Sequence, residues 1–378
     1  MKVKRVSCVR QGWGMLLWLI CTVSLTACGT RAPILIGFAG CITGFSAGLG
    51  VNARYGAELA VETVNGSGGI KGRRLELIVK DDQNNQETAL AVDKELKEAG
   101  VVAIVGHLTS DMGRLTVPWI NDSKLVMMSP TVSDPALTGK DDWFFRVIPE
   151  NTAQSRRVEA AMVARNVRKA AIVYENTNLS YSKKLAEEFA AVFQRDGGEI
   201  VLTEAFETGG DSGFSGMLDR VAASGAEALF LISSSDNAVK YLQMRAKSAS
   251  KCDVYLAMWS ISGGFLERTG ATSEGVYLVD VVDFTSNFPA YLTFKDKYQS
   301  QFGDKPNFAS VFGYESVMIL AEAMNAAKTI DSAGIRTKLL EIPTFSGLQG
   351  KIAFDEYGDV QRETFLYQVQ DGKIMRVE

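Results

Sequence analysis

The feature that most constrains this chain is a repeated alternation. Short runs rich in Val, Ile and Leu are separated by helical stretches of ten or more residues: "ILIGFAG", "NARYGAELAVETVNG", "RRLELIVKDD", "QETALAVDKELKEAG", "VVAIVGH", a helix from about Asp111, then "KLVMMSP". A second series keeps the same rhythm, with a helix from about Thr152, "KAAIVYEN", a helix from about Ser182, "EIVLTEAF", a helix from Ser212, "ALFLISSS", a helix from Asn237 and "DVYLAMWS". Strands of this kind, each followed by a helix, imply parallel sheets covered on both faces. Two such series predict an α/β protein of two doubly wound parallel-sheet lobes. No low-complexity linker divides them, so the expected connection is a hinge of several extended strands. The tail predicts helices near 288–302, 309–328 and 333–341, then a hairpin in "ETFLYQVQDGKIMRV" turned by Asp371-Gly372.

The first 27 residues stand apart. Lys2, Lys4, Arg5 and Arg10 precede the apolar "MLLWLICTVSL" of Met15–Leu25. That core is too short to span a bilayer as a helix, and with its basic start it reads as a secretory signal over 1–27. The junction "LTAC" (Leu25 to Cys28) resembles the lipobox of bacterial lipoproteins. By that resemblance Cys28 is the lipidated first residue of the mature chain, 28–32 is a tether, and acyl chains hold the protein at a membrane surface.

Removing the four basic signal residues takes the formal net charge from -4 to -8. Nucleic acid is then no natural partner, because phosphate contacts need clustered Lys and Arg. Past the signal only Cys28, Cys41 and Cys252 remain, without metal-like spacing, and neither a metal nor a cofactor is expected.

In open parallel sheets, ligands bind where strands turn into helices. That rule selects Gly40–Gly44, His107–Ser110 and Ser129–Ser133 in the first series, and Tyr174–Asn176 running on to Tyr181, Ser233–Asp236 and Trp259-Ser260 in the second. Hydroxyls and small residues dominate, a lining suited to a small anion or zwitterion at helix starts. Ser110-Asp111 also reads simply as a helix cap. The single histidine, His107, one residue past a buried run, reads as a hydrogen-bonded structural residue. With no G-x-S-x-G elbow, the pattern favours binding over catalysis. Asp81-Asp82 and Asp141-Asp142 read as solvated loop residues.

Taken in order, "GCITGFSAGLG", "VNGSGGIKGRRLELIVKDDQNN", "VVAIVGHLTSD", "LVMMSPTVSDPALT", "FFRVIPEN", "AIVYENTNLSYSKKLAEEF", "SEGVYLV" and "FGYESVMILAEAM" resemble the substrate-binding proteins of branched-chain amino-acid ABC transporters, of the type I periplasmic-binding fold. The resemblance implies a non-enzymatic, exported receptor that grips a small amino acid or related compound between two lobes, with leucine, isoleucine or valine as the default, and delivers it to ABC permease subunits. Lobe 1 would comprise 33–147 and 282–350, and lobe 2 148–281 and 351–378. Ser110 would take a ligand carboxylate, Thr131 and Ser133 would help bind an ammonium, and Tyr181 would close from the second lobe. A sensor of the same fold is the alternative.

Two departures from the family pattern stand out. Where amino-acid binders carry a glutamate for the ammonium, this chain has Met258-Trp259-Ser260. A buried cation without a partner costs several kcal/mol, so either Asp236 supplies the charge or the ligand is not an α-amino acid but an aromatic or amide compound. Trp259 would stack on an aromatic ligand, contact a cation through its ring, or cover the hinge. Asn84 and Thr109 stand where some relatives have a disulfide.

Overall fold

The computed structural model describes residues 31–208, 212–248, 251–261 and 264–377. The expected signal segment, 1–27, and Cys28 lie outside the described residues. The first series forms β1 (Ile34–Gly40), α1 (Ala47–Gly66), β2 (Leu75–Asp81), α2 (Gln86–Glu98), β3 (Ala103–Gly106), α3 (Ser110–Ser123), β4 (Val126–Ser129) and β5 (Phe144–Arg146). The second forms α4 (Thr152–Ala164), β6 (Lys169–Glu175), α5 (Leu179–Arg195), β7 (Glu199–Phe206), α6 (Ser212–Ala223), β8 (Ala228–Ile232), α7 (Ser235–Arg245), β9 (Asp253–Leu256), α8 (Phe265–Thr269) and β10 (Tyr277–Asp280). The tail adds α9 (Pro289–Phe302), α10 (Phe308–Ala326), α11 (Ser332–Glu341), β11 (Phe345–Gly347), β12 (Gly350–Ile352), β13 (Phe365–Gln370) and β14 (Lys373–Arg376).

Two main sheets result, with strand orders β2-β1-β3-β4-β5 and β14-β13-β10-β9-β8-β6-β7. Every pair among β1–β5 and among β6–β10 is parallel, while β13 and β14 join antiparallel at one edge of the second sheet. The hairpin turn falls at Asp371 and Gly372, both at positive φ, as the Asp-Gly pair predicts. The near-continuous apolar character of the strands follows from burial on both faces: β3, β4 and β8 are buried throughout. Each sheet reverses strand order once, between β1 and β3 and between β6 and β8, and the loops leaving those strands flank the crevices where such sheets take ligands.

The tail helices return to the first sheet's side. α10 lies along α1 in backbone contact: a β-carbon on Gly56 would sit 2.0 Å from the Ser310 carbonyl oxygen, and one on Gly313 2.1 Å from that of Ala53. Glycine at both positions is what permits the approach. α10 starts with a capping box, Asn307 Oδ1 accepting from Ser310 N–H at 3.1 Å and Ser310 Oγ accepting from Asn307 N–H at 3.0 Å.

The chain crosses between sheets after β5, after β10 and before β13. The last crossing comes later than the expected 351. Phe354 packs edge-on against Phe145 and Phe345, and buried Arg146 pairs with Asp359 at 2.7 Å. Residues 351–359 therefore stay against the first sheet, because their aromatic and charged partners are there.

Candidate ligand-binding cleft

The first wall is built at the carboxyl ends of β3 and β4. Ser129 Oγ donates to the His107 carbonyl at 2.7 Å and accepts from Val132 N–H, and Thr131 Oγ1 donates to the Leu108 carbonyl at 2.5 Å. The two strand-end loops are thus tied to each other by side chains. Ser110, the first residue of α3, accepts from Ser133 N–H at 3.3 Å, and Ser133 Oγ donates to Asn151 Oδ1 at 2.6 Å. No acceptor for the Ser110 hydroxyl proton is present among the described residues. Ser110 does not cap its helix; Thr109 occupies that position, and its hydroxyl donates to Asn84 Oδ1 at 2.7 Å. The two residues standing where some relatives carry a disulfide are joined by a hydrogen bond instead.

Beneath this wall lies His107, fully buried, with Nδ1 2.6 Å from Asp82 Oδ2 and Nε2 3.2 Å from Asp93 Oδ1. Burial pulls the imidazole toward neutrality, but Asp93 and Asp82 outweigh it and push it up to about 10. The ring is a charged structural tie. With both nitrogens committed to carboxylates, it has no lone pair for a serine proton, so no Ser-His catalytic pair forms. The reading of Asp81-Asp82 as solvated is corrected for Asp82, which turns inward to His107, while its half-buried neighbour Asp81 accepts from the exposed Thr43 hydroxyl and from Ile42 N–H.

The second wall comes from β6, β8 and β9. Glu175, fully buried at the end of β6, accepts four hydrogen bonds: from the hydroxyls of Thr177 (2.7 Å) and Thr208 (2.5 Å), and from Ser234 N–H (2.7 Å) and Oγ–H (2.8 Å). It orders the Ser233–Ser235 loop. Tyr181 and Trp259 meet edge-to-face with ring centres 5.9 Å apart, and Tyr181 donates to Gln154 Oε1 at 3.3 Å. Burial pushes the Tyr181 phenol well above its usual range, so it stays a neutral donor.

The walls face each other across two adjoining cavities. The inner one is lined by Leu108 and Thr131 on one side and Asn178, Tyr181 and Met258 on the other; the outer one by Ser46 and Asn307 against Ser234, Ser235 and Asp236. Leu49, Trp259 and Phe308 line both. Trp259 is therefore shared by the two cavities, as Leu49 and Phe308 are. Each cavity holds about 20 Å³, so a ligand larger than a water or two enters only if the lobes part. They are latched by a contact that sequence reasoning missed. The Asp111 carboxylate accepts from Leu179 N–H (2.9 Å) and Ser180 N–H (2.8 Å) at the start of α5, and Asp111 N–H donates to Asn178 Oδ1. A carboxylate on a helix N-terminus is a favourable charge placement; the acidic residue in the first turn of α3 was the available signal, but it read as a cap.

Of the residues singled out in the sequence, Thr131, Tyr181 and Trp259 share the inner cavity, whereas Ser110 and Ser133, both buried and joined by a hydrogen bond, line neither cavity. Asp236 is not brought to them. It lines only the outer cavity, with a side chain 67% exposed and held by Arg268 at 2.6 Å. The expectation that it neutralises a buried ammonium fails, because it is solvated and already paired. The inner cavity has no charged side chain in its lining.

A family model for periplasmic binding proteins matches residues 33–373. The chain belongs to that family. The "Leu/Ile/Val-binding protein homolog 3" of Brucella melitensis is 26% identical to this periplasmic binding protein over 369 residues, covering 93% of this chain and 95% of the relative. Among solved structures, the branched-chain amino acid transporter substrate-binding protein LivJ of Streptococcus pneumoniae, in complex with isoleucine, superposes with a TM-score of 0.82 at 24% identity, covering 91% of this chain and 99% of that one. An ABC-transporter solute-binding protein of R. palustris in complex with benzoate superposes with a TM-score of 0.83 at 17% identity, covering 91% and 95%.

Proposed function

We propose that this periplasmic binding protein is the extracytoplasmic receptor of an ABC importer, binding a small carboxylate between its lobes and presenting the closed form to the permease. The observation that carries the reading is the pairing of two walls: Leu108 and Thr131 face Tyr181 and Trp259 across a cavity that opens only when the lobes part. In the mechanism we propose, the carboxylate docks first on the Ser110 hydroxyl and nearby amides. Tyr181 and Trp259 reach the ligand when the lobes close, and its differential affinity for the closed form shifts the population. The division of lobes runs at the crossings after β5 and after β10. Export by a 1–27 signal and anchorage through lipidated Cys28 complete the proposal.

The ligand class follows from charge. With Asp236 exposed and paired and no carboxylate in the inner cavity lining, a buried ammonium has no counter-ion, whereas an apolar or aromatic carboxylate needs none. The R. palustris protein of the same fold, in complex with benzoate, supports this class. A thermal-shift screen of the protein from Gly29 onward, against aliphatic amino acids and aromatic acids, tests both points. A ligand at a hundred times its dissociation constant adds about 2.7 kcal/mol of stability. A shift with aromatic acids and none with leucine or isoleucine is expected; the reverse overturns the ligand class, and no shift with any small carboxylate overturns the receptor reading.

A further inference from the structure

The outer cavity holds two polar atoms with no partner. Ser235 Oγ, on the first residue of α7, and Asn307 Nδ2, at the cap of α10, are both buried and both without a hydrogen bond among the described residues. Each residue is only 5% exposed, and both line the same cavity. Unsatisfied buried polar atoms are costly and uncommon in native proteins, so two lining one cavity point to something that pairs them. Asn307 already uses its Oδ1 to cap α10, which leaves its amide as a pure donor to the cavity. The Ser235 hydroxyl donates or accepts. The neighbouring serines are differently occupied: Ser234 is committed to Glu175, and Ser233 Oγ donates to the Ser234 carbonyl.

We infer that Ser235 and Asn307 form a second, distal polar subsite that reads a hydroxyl or carbonyl at the far end of the ligand, beyond the apolar residues shared by the two cavities. Resting on the proposed carboxylate-binding reading, it makes the preferred substrate a small carboxylate that is polar at both ends and apolar between them, where Leu49, Trp259 and Phe308 line both cavities. The two residues come from opposite lobes, Ser235 following β8 and Asn307 capping the helix packed on α1. The subsite is therefore completed only on closure, and a ligand lacking the distal group leaves both atoms unpaired. A site built to hydrogen-bond a polar group rejects the analogue lacking it far more strongly than an apolar pocket rejects an extra methylene.

The test is calorimetric titration of the mature protein with two matched pairs, benzoate against 4-hydroxybenzoate and leucine against asparagine. In at least one pair the distally polar member is expected to bind at least tenfold tighter. Ser235→Ala and Asn307→Asp, the latter retaining the Oδ1 cap, should each reduce that preference at least fivefold and change the affinity of the apolar member less than twofold. Binding without preference, or a preference that survives both substitutions, overturns the subsite alone and leaves the two atoms to a bridging water. No binding by any of the four overturns the subsite together with the carboxylate reading beneath it.

Discussion

The two walls of the cleft use the same strand-loop-helix geometry but are anchored by opposite means. Under the first, an imidazolium sits between two buried carboxylates; under the second, a lone carboxylate, Glu175, is held by four neutral donors. The difference teaches how each wall should respond to change. The first is tied by full charges in a dry interior, where losing one partner strands the others. The second is tied by hydroxyls that can rotate to new partners, with only one fixed donor, the Ser234 amide.

The largest expected effect comes from breaking the charged anchor. His107→Gln leaves Asp82 and Asp93 buried and uncompensated, and a loss of about 3–5 kcal/mol is expected in urea unfolding. The folded imidazole lies near 10 and the unfolded one at about 6.5, so its contribution is fully present below pH 6.5 and is lost as pH rises through 10. The gap between wild type and variant should narrow over that window; a constant gap would mean that the ring is neutral. Glu175→Gln, the matching change in the second wall, should cost less, roughly 1–3 kcal/mol, because the three hydroxyls can reorient. Equal losses would erase the contrast.

Next in size are effects on binding. Ser110→Ala should weaken ligand binding more than tenfold with the fold retained, although the Ser133 N–H loses its acceptor; unaltered affinity would remove Ser110 from the site. Asp111→Asn retains the neighbouring contacts but loses charge-assisted hydrogen bonds to α5, and should raise the dissociation constant roughly three- to tenfold. Small-angle scattering should show a more open ligand-free protein.

Much of this architecture was legible in the chain. The strand-helix alternation placed the elements, because buried parallel strands must be apolar throughout, and the strand-end rule selected the loops that form both walls. What stayed hidden involved pairings at a distance. Asp82 looks solvated beside Asp81, since nothing local says that one turns toward His107 while the other faces Thr43. Asp93 is the informative exception: it falls on the buried stripe of α2 with Val92 and Leu96, a position where an acid needs a partner. Asp236 misled for the converse reason, since its strand-end position suggested a ligand contact while Arg268 took the charge.

Smaller effects sharpen the comparison at its edges. Asp280, at the end of β10, is pushed up to about 8 by burial and keeps one oxygen without a partner. Its folded value lies above the unfolded one, so stability is lost as pH rises from about 4 through 8. Asp280→Asn should flatten that slope and raise the melting temperature at pH 8; a slope unchanged by the substitution would assign it elsewhere. Asp236→Asn should move ligand affinity less than twofold, as expected for an exposed pair.

The most direct measurement is a crystal structure of the protein from Gly29 onward with a ligand from the screen. Density between Thr131 and Trp259, touching both lobes with its carboxylate toward Ser110, is the predicted result. A ligand seated on one lobe alone, away from Tyr181, would contradict the account.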